Sequence, residues 1–300
     1  MSSTIQMRPA LMLGAVLLLA ACGGSDAPTQ DAVADTTQVA GDVDGTRIVQ
    51  LGGRNFSVPS PVQAAQAIRG AGLKYNVALL ADGSASGNMT DRSRRSLFLG
   101  MLGADMAYVT VHGDGQKALA TMQTIERIAA ELELSNAFDR ALVERFKANL
   151  GSEDSLLRFG GAAFRAADEY LQENDRMDVS AHVLAGGWLE SMYLTLSDPA
   201  AASSKALMSR VGEQRRSLDD LITLIGTLPD DMQNADLLSG LKDLQVIFAG
   251  ITTTYTFEPP VTEAAKRTTY INSRSEVTIS PEQYTRIAAR VKELRSKILA

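Results

Sequence analysis

Asp105 and Glu190 are the residues with which chemistry would begin. Each is a carboxylate in a run of small and apolar residues, and each stands three positions before a tyrosine, Tyr108 and Tyr193. Positions i and i+3 share a helix face, so each pair would present an acid beside a phenol. Met101, Leu102, Val109 and His112 fall on the face of Asp105, and Val183, Gly187 and Leu194 on that of Glu190. A carboxylate in such company must be paired or protonated. In the ordinary case each acid accepts a hydrogen bond from a tyrosine or a backbone N–H and serves structure. In the sharper case Asp105, Tyr108, Glu190 and Tyr193 together line a polar ligand site.

Other chemistry finds few players. The two histidines, His112 and His182, lack the paired Glu-x-x-His motifs of a di-iron bundle. Asp178 with His182, or His112 with Asp114, supplies two ligands at most, so no metal site is expected. Gly113-Asp-Gly115-Gln-Lys-Ala118 has the spacing of a dinucleotide fingerprint, but helical sequence precedes it where a strand is required. Gly83-Ser-Ala-Ser-Gly87 places alanine where a nucleophile elbow needs serine, and Ser239-Gly-Leu-Lys242 lacks its companion motifs. Trp188 reads as a core anchor, and Arg92-Ser-Arg-Arg95 as a solvated helix start. Lys+Arg 29 against Asp+Glu 35 gives a net charge of −6, the wrong sign for binding phosphate backbones, and aromatics are only 5%. Nucleic acid is excluded as a partner, and an enzyme is disfavoured.

The elements that must position these side chains are helical. Apolar periodicity predicts helices over 61–70, 90–111, 116–133, 139–150, 153–174, 179–196, 202–227 and 232–254. Ser60-Pro61 and Ser280-Pro281 each pair an N-cap serine with proline at N1, the second opening a helix to about residue 299. Alternating runs around Gly52-Gly53 predict a hairpin, and 268–279 alternates like a strand. The expected fold is mostly α, a helical bundle in which a small β element joins the N- and C-terminal segments. Residues 98–109 align with 183–194 at an offset of 85, acid on acid and tyrosine on tyrosine. The match allows a duplicated pair of bundles with halves 46–151 and 152–300, or two small-residue helices alike by chance. Glycines at 100, 103, 186 and 187 need a packing reason in either case, because glycine costs about 1 kcal/mol in a helix interior.

The N-terminus carries an address. Residues 1–21 hold one cation, Arg8, and an apolar run from Ala10 too short to span a bilayer, as in a signal peptide. Leu19-Ala20-Ala21-Cys22 resembles the bacterial lipobox, which implies cleavage before Cys22 and acylation of this one cysteine. Covalent lipid is then the only prosthetic group expected, with no other cofactor, and the membrane is the first partner. Gly23 stands where enteric inner-membrane lipoproteins carry aspartate, which favours the outer membrane and leaves open which side the domain faces. Residues 22–45 form an acidic, small-residue tether, and 46–300 the folded domain.

Val58-Pro-Ser-Pro61, Leu99–Tyr108, Asp154-Ser-Leu-Leu157, Ala185-Gly-Gly-Trp-Leu-Glu-Ser191 and Ile279-Ser-Pro-Glu-Gln283 resemble a family of helical bacterial lipoproteins with no assigned activity. The resemblance spans most of residues 55–300. A looser similarity is to the imelysin-like family, also exported and helical, whose Gly-x-His-x-x-Glu motif is missing: Val183, Leu184 and Ala185 follow His182. The function expected is a non-catalytic scaffold in the cell envelope with an envelope protein partner. The alternative is a helical module binding a small molecule or metal through the Asp105 and Glu190 faces.

Overall fold

The computed structural model describes residues 46–51, 54–135, 140–149, 166–167 and 169–300. The signal segment, Cys22, the tether and most of the helix expected over 153–174 lie outside them.

Antiparallel strands β1 (Thr46–Leu51) and β2 (Arg54–Pro59) form the expected hairpin, with Thr46 opposite Pro59 and Leu51 opposite Arg54. Helix α1 (Pro61–Gly70) starts where Ser60 accepts from the Val62 N–H, and Pro61 occupies N1. Two 3-10 turns, Val77–Leu79 and Gly83–Asn88, lead into α2 (Arg92–Val111), capped by Asp91. Gly113, at φ +75°, turns the chain into α3 (Gly115–Glu131), whose N-cap is Asp114. Then come α4 (Arg140–Ala148), α5 (Met177–Leu196), α6 (Lys205–Gly226) and α7 (Ala235–Ala249). Four short strands follow: β3 (Thr252–Thr256), β4 (Val261–Glu263), β5 (Thr268–Tyr270) and β6 (Arg274–Thr278). The C-terminal helix α8 (Pro281–Leu299) opens with a full capping box between Ser280 and Gln283.

Helices α2 and α5 form the centre. Every residue of α2 from Ser96 to Val111 is buried, and α5 is buried over most of its circumference. A helix apolar on all sides belongs inside a protein, which is why neither shows a clear amphipathic stripe. Their glycines explain the intimacy of the contact. A Cβ on Gly100 would overlap the Val183 carbonyl oxygen, and one on Gly186 would overlap that of Leu97. The backbones therefore touch, and the helices that align in sequence are the two that pack together. One hydrophobic cluster extends from Ala81 on the loop before α2 to Ile298 on α8, drawing side chains from both proposed halves.

Three expectations are corrected. The N- and C-terminal strands do not share a sheet: β1 pairs with β2, β3 with β6 and β4 with β5. The helix expected over 232–254 stops at Ala249, and Thr252-Thr-Thr-Tyr-Thr256 is strand. β-branched residues lose rotamer freedom in a helix and fit a pleated ribbon, so four threonines and a tyrosine follow the local preference. The strand expected over 268–279 is two strands, interrupted at 271–273.

Candidate functional site

Asp105 from α2 and Glu190 from α5 are both fully buried, and the helix contact brings their carboxyl groups within hydrogen-bonding reach of each other. Two buried anions side by side would be untenable without a cation or a proton. The structure supplies the cation, and the asymmetry of the pair assigns the proton. Arg295, on α8, places Nε 2.7 Å and Nη2 2.8 Å from the two Glu190 oxygens, a bidentate fork. Nη2 also donates to the Leu79 carbonyl at 2.8 Å, and the guanidinium lies 4.0 Å over the Tyr193 ring. Asp105 has only one neutral donor, the Ala81 N–H at 2.8 Å from Oδ2.

This asymmetry decides which acid carries the proton. Burial, together with the neighbouring Glu190 charge, drives the Asp105 carboxyl well above the usual carboxylate range. Burial raises Glu190 too, but the Arg295 hydrogen bonds and charge oppose it. Asp105 is therefore the protonated member, its hydroxyl facing Glu190, and Glu190–Arg295 is the ion pair.

The tyrosines part company. Tyr193 stays at the centre as the ring beneath Arg295. Tyr108 turns away: its hydroxyl accepts from the Asn76 N–H at 3.1 Å, and its ring packs against Tyr75 and His112, with centroids 5.4 and 4.5 Å away. The four candidate residues thus make one buried acid centre of three and a separate aromatic cluster. Arg295 and the loop carbonyl of Leu79 were missed from sequence. A signal existed, because Arg295 interrupts the apolar stripe Ile287, Val291, Leu294, Ile298 on the side that faces the core.

The remaining motifs resolve into structure. His182 is buried, its Nδ1 2.7 Å from the Asp178 carbonyl oxygen, while the Asp178 side chain pairs with Arg92 at 3.5 Å. Asp114 caps α3 and accepts the Tyr75 hydroxyl at 2.7 Å, so it is not placed to share a metal with His112. The Gly113–Gly115 segment joins two helices, with no strand before it. Ser239 and Lys242 are both exposed on α7. Trp188 is buried and donates to Gln214 at 3.0 Å, as a core anchor would. In the basic cluster, Arg94 donates to the Ile298 carbonyl at 3.0 Å and Arg95 lies 3.4 Å from Glu131. Among the described residues, no three His, Cys, Asp or Glu side chains converge on a common point, and no helix is long and apolar enough to cross a membrane.

Two cavities lie elsewhere. One, about 50 Å³, is walled by α1, α5 and α6 around Gln63, Trp188, Met192 and Val211. The other, about 400 Å³, is an open groove between the start of α6 and the β3–β6 ribbon, lined by Lys205, Glu258, Arg274 and Glu276. Neither is lined by Asp105, Glu190 or Arg295. No protein family, curated protein or solved structure matches the chain.

Proposed function

We propose that this protein is a lipid-anchored component of the cell envelope that works as a non-catalytic scaffold, held at the outer membrane through acylated Cys22. The observation that carries the non-catalytic part is how Asp105 and Glu190 are used. The best candidates for acid–base work are committed to each other, to Arg295 and to the Ala81 backbone N–H, in a position that neither cavity reaches. A general acid must lie within hydrogen-bond reach of a substrate proton, and these lie within reach of one another. The Leu19–Cys22 segment supports the anchor, and the acidic tether supports a domain held near a bilayer without lying in it.

Metabolic labelling with palmitate, followed by membrane fractionation, tests the anchor. Label should enter the chain and vanish in Cys22→Ser. Label that persists in the variant, or an unlabelled parent chain, rejects the anchor. Native mass spectrometry of the purified chain tests the rest. The scaffold reading expects the mass of the lipidated polypeptide alone. A further bound mass that disappears in Asp105→Asn with Glu190→Gln would replace it with a ligand-binding module.

A further inference from the structure

We propose that the ribbon of residues 252–278 is the interaction arm of this protein, and that its open strand β3 pairs edge to edge with β3 of a second copy of the chain. The inference rests on the scaffold reading and names the partner.

The ribbon is built as an arm. Strands β3 and β6 pair from Thr252 opposite Thr278 to Thr256 opposite Arg274, and β4–β5 continue it to a turn at 264–267. Its base is anchored: Val277 of β6 fills the space left by Gly212 on α6, and Lys205 pairs with Glu276. Beyond the base it is bare. All five residues of β3 are exposed. Of the eight large hydrophobic side chains exposed among the described residues, five lie here: Tyr255, Phe257, Val261, Tyr270 and Ile271, from 41% to 81% exposed. An isolated two-stranded ribbon is marginal in water and gains most from a third strand.

The pattern of the edge says what the third strand is. Natural free edges carry lysine, proline or a bulge to prevent pairing. The outer half of this arm has them: Pro259-Pro260 interrupts one strand, and Ser273 bonds to both backbone groups of Glu258 across the break. Thr252–Phe257 has neither charge nor proline. That segment is also self-complementary. An antiparallel pairing about a two-fold axis at Thr254 sets Thr252 opposite Thr256 and Thr253 opposite Tyr255, with no like charges facing. Each copy contributes its β3 edge, so this contact closes at two chains. A bilayer fits less well. The turn that would enter it first is Glu263-Ala-Ala-Lys266-Arg267, with Glu263 and Lys266 ion-paired, and the apolar residues lie along the flanks.

Cysteine crosslinking in the full chain tests the register, with Cys22→Ser as background so that the introduced thiol is the only one. Thr254→Cys should give a disulfide-linked dimer of the chain under mild oxidation. Thr252→Cys alone should not, whereas co-expressed Thr252→Cys and Thr256→Cys chains should link to each other. Sedimentation should show a dimer whose dissociation constant rises at least about tenfold in Thr254→Lys, with an unchanged circular dichroism spectrum. A chain that sediments as a monomer at all concentrations, or a dimer indifferent to Thr254→Lys, overturns the proposal. Crosslinking of Thr254→Cys to a different envelope protein, with no self-link, also overturns it but leaves the scaffold reading standing. A chain that links to nothing counts against both.

Discussion

The acid centre makes a residue-level prediction that separates its two carboxyl groups. Asp105 is protonated in the folded chain, so Asp105→Asn keeps its charge state and should cost no more than about 1 kcal/mol at neutral pH. Glu190→Gln leaves Arg295 buried and unpaired and should cost about 3–5 kcal/mol. Urea unfolding of both variants checks the order, and a reversed order would put the proton on Glu190. The sign of the pH effect follows. With its folded pKa raised, Asp105 contributes stability fully present below the ordinary value of 3.8 and lost as pH rises through the folded value. His182 acts at the other end of the acid range. Burial lowers its pKa below the ordinary 6.5, so its stabilisation is present above 6.5 and declines as pH falls toward the folded value. His182→Asn should flatten the acid side of the stability profile below about pH 6.5, where one such histidine contributes up to about 1.4 kcal/mol per pH unit.

At the scale of elements, the contact between α2 and α5 depends on missing side chains. Gly100→Ala and Gly186→Ala each force a methyl group into a backbone carbonyl of the other helix. The helix propensity gained, about 1 kcal/mol, is small beside the cost of separating two packed backbones, so both should destabilise by several kcal/mol. Gly226, the last residue of α6, has open space around it, and Gly226→Ala should be neutral or stabilise by up to about 1 kcal/mol. Thermal melts of the three variants distinguish a packing role for glycine from a propensity effect. Both central glycine positions were legible in the sequence as small-residue runs. Which backbone atoms they admit was not, because that depends on the crossing of two helices distant in the chain.

For the whole molecule, the C-terminal helix is the closing element. Ile287, Val291, Leu294 and Ile298 of α8 are buried in the common core, and Arg295 neutralises the buried Glu190. Four such side chains contribute roughly 1.5–3 kcal/mol each, as much as the whole net stability of a typical domain. A chain ending at residue 279 should therefore lose cooperative unfolding and be degraded by protease in conditions that spare the full chain. Such a chain that still melts cooperatively would show that α8 is an accessory and that the acid centre is tolerated without its cation.

Much of this architecture is local and was readable in order. Ser60-Pro61 and Ser280-Pro281 begin helices because an N-cap hydroxyl and a fixed φ act within one turn. The mostly α class followed from periodicity, which registers over a dozen neighbouring residues. Asp105 and Glu190 stood out because a charge in an apolar run requires compensation wherever the run is buried. The identity of that compensation was a tertiary matter. Arg295 lies 105 residues beyond Glu190, and only the docking of α8 brings the two together. Docking also separated Tyr108 from Tyr193, although both had the same spacing from an acid. The strands followed the same division. Thr252–Thr256 had the composition of a strand all along, but pairing partners are chosen by chain geometry. A strand's own sequence sets its willingness to pair, and the rest of the fold decides which edge reaches it.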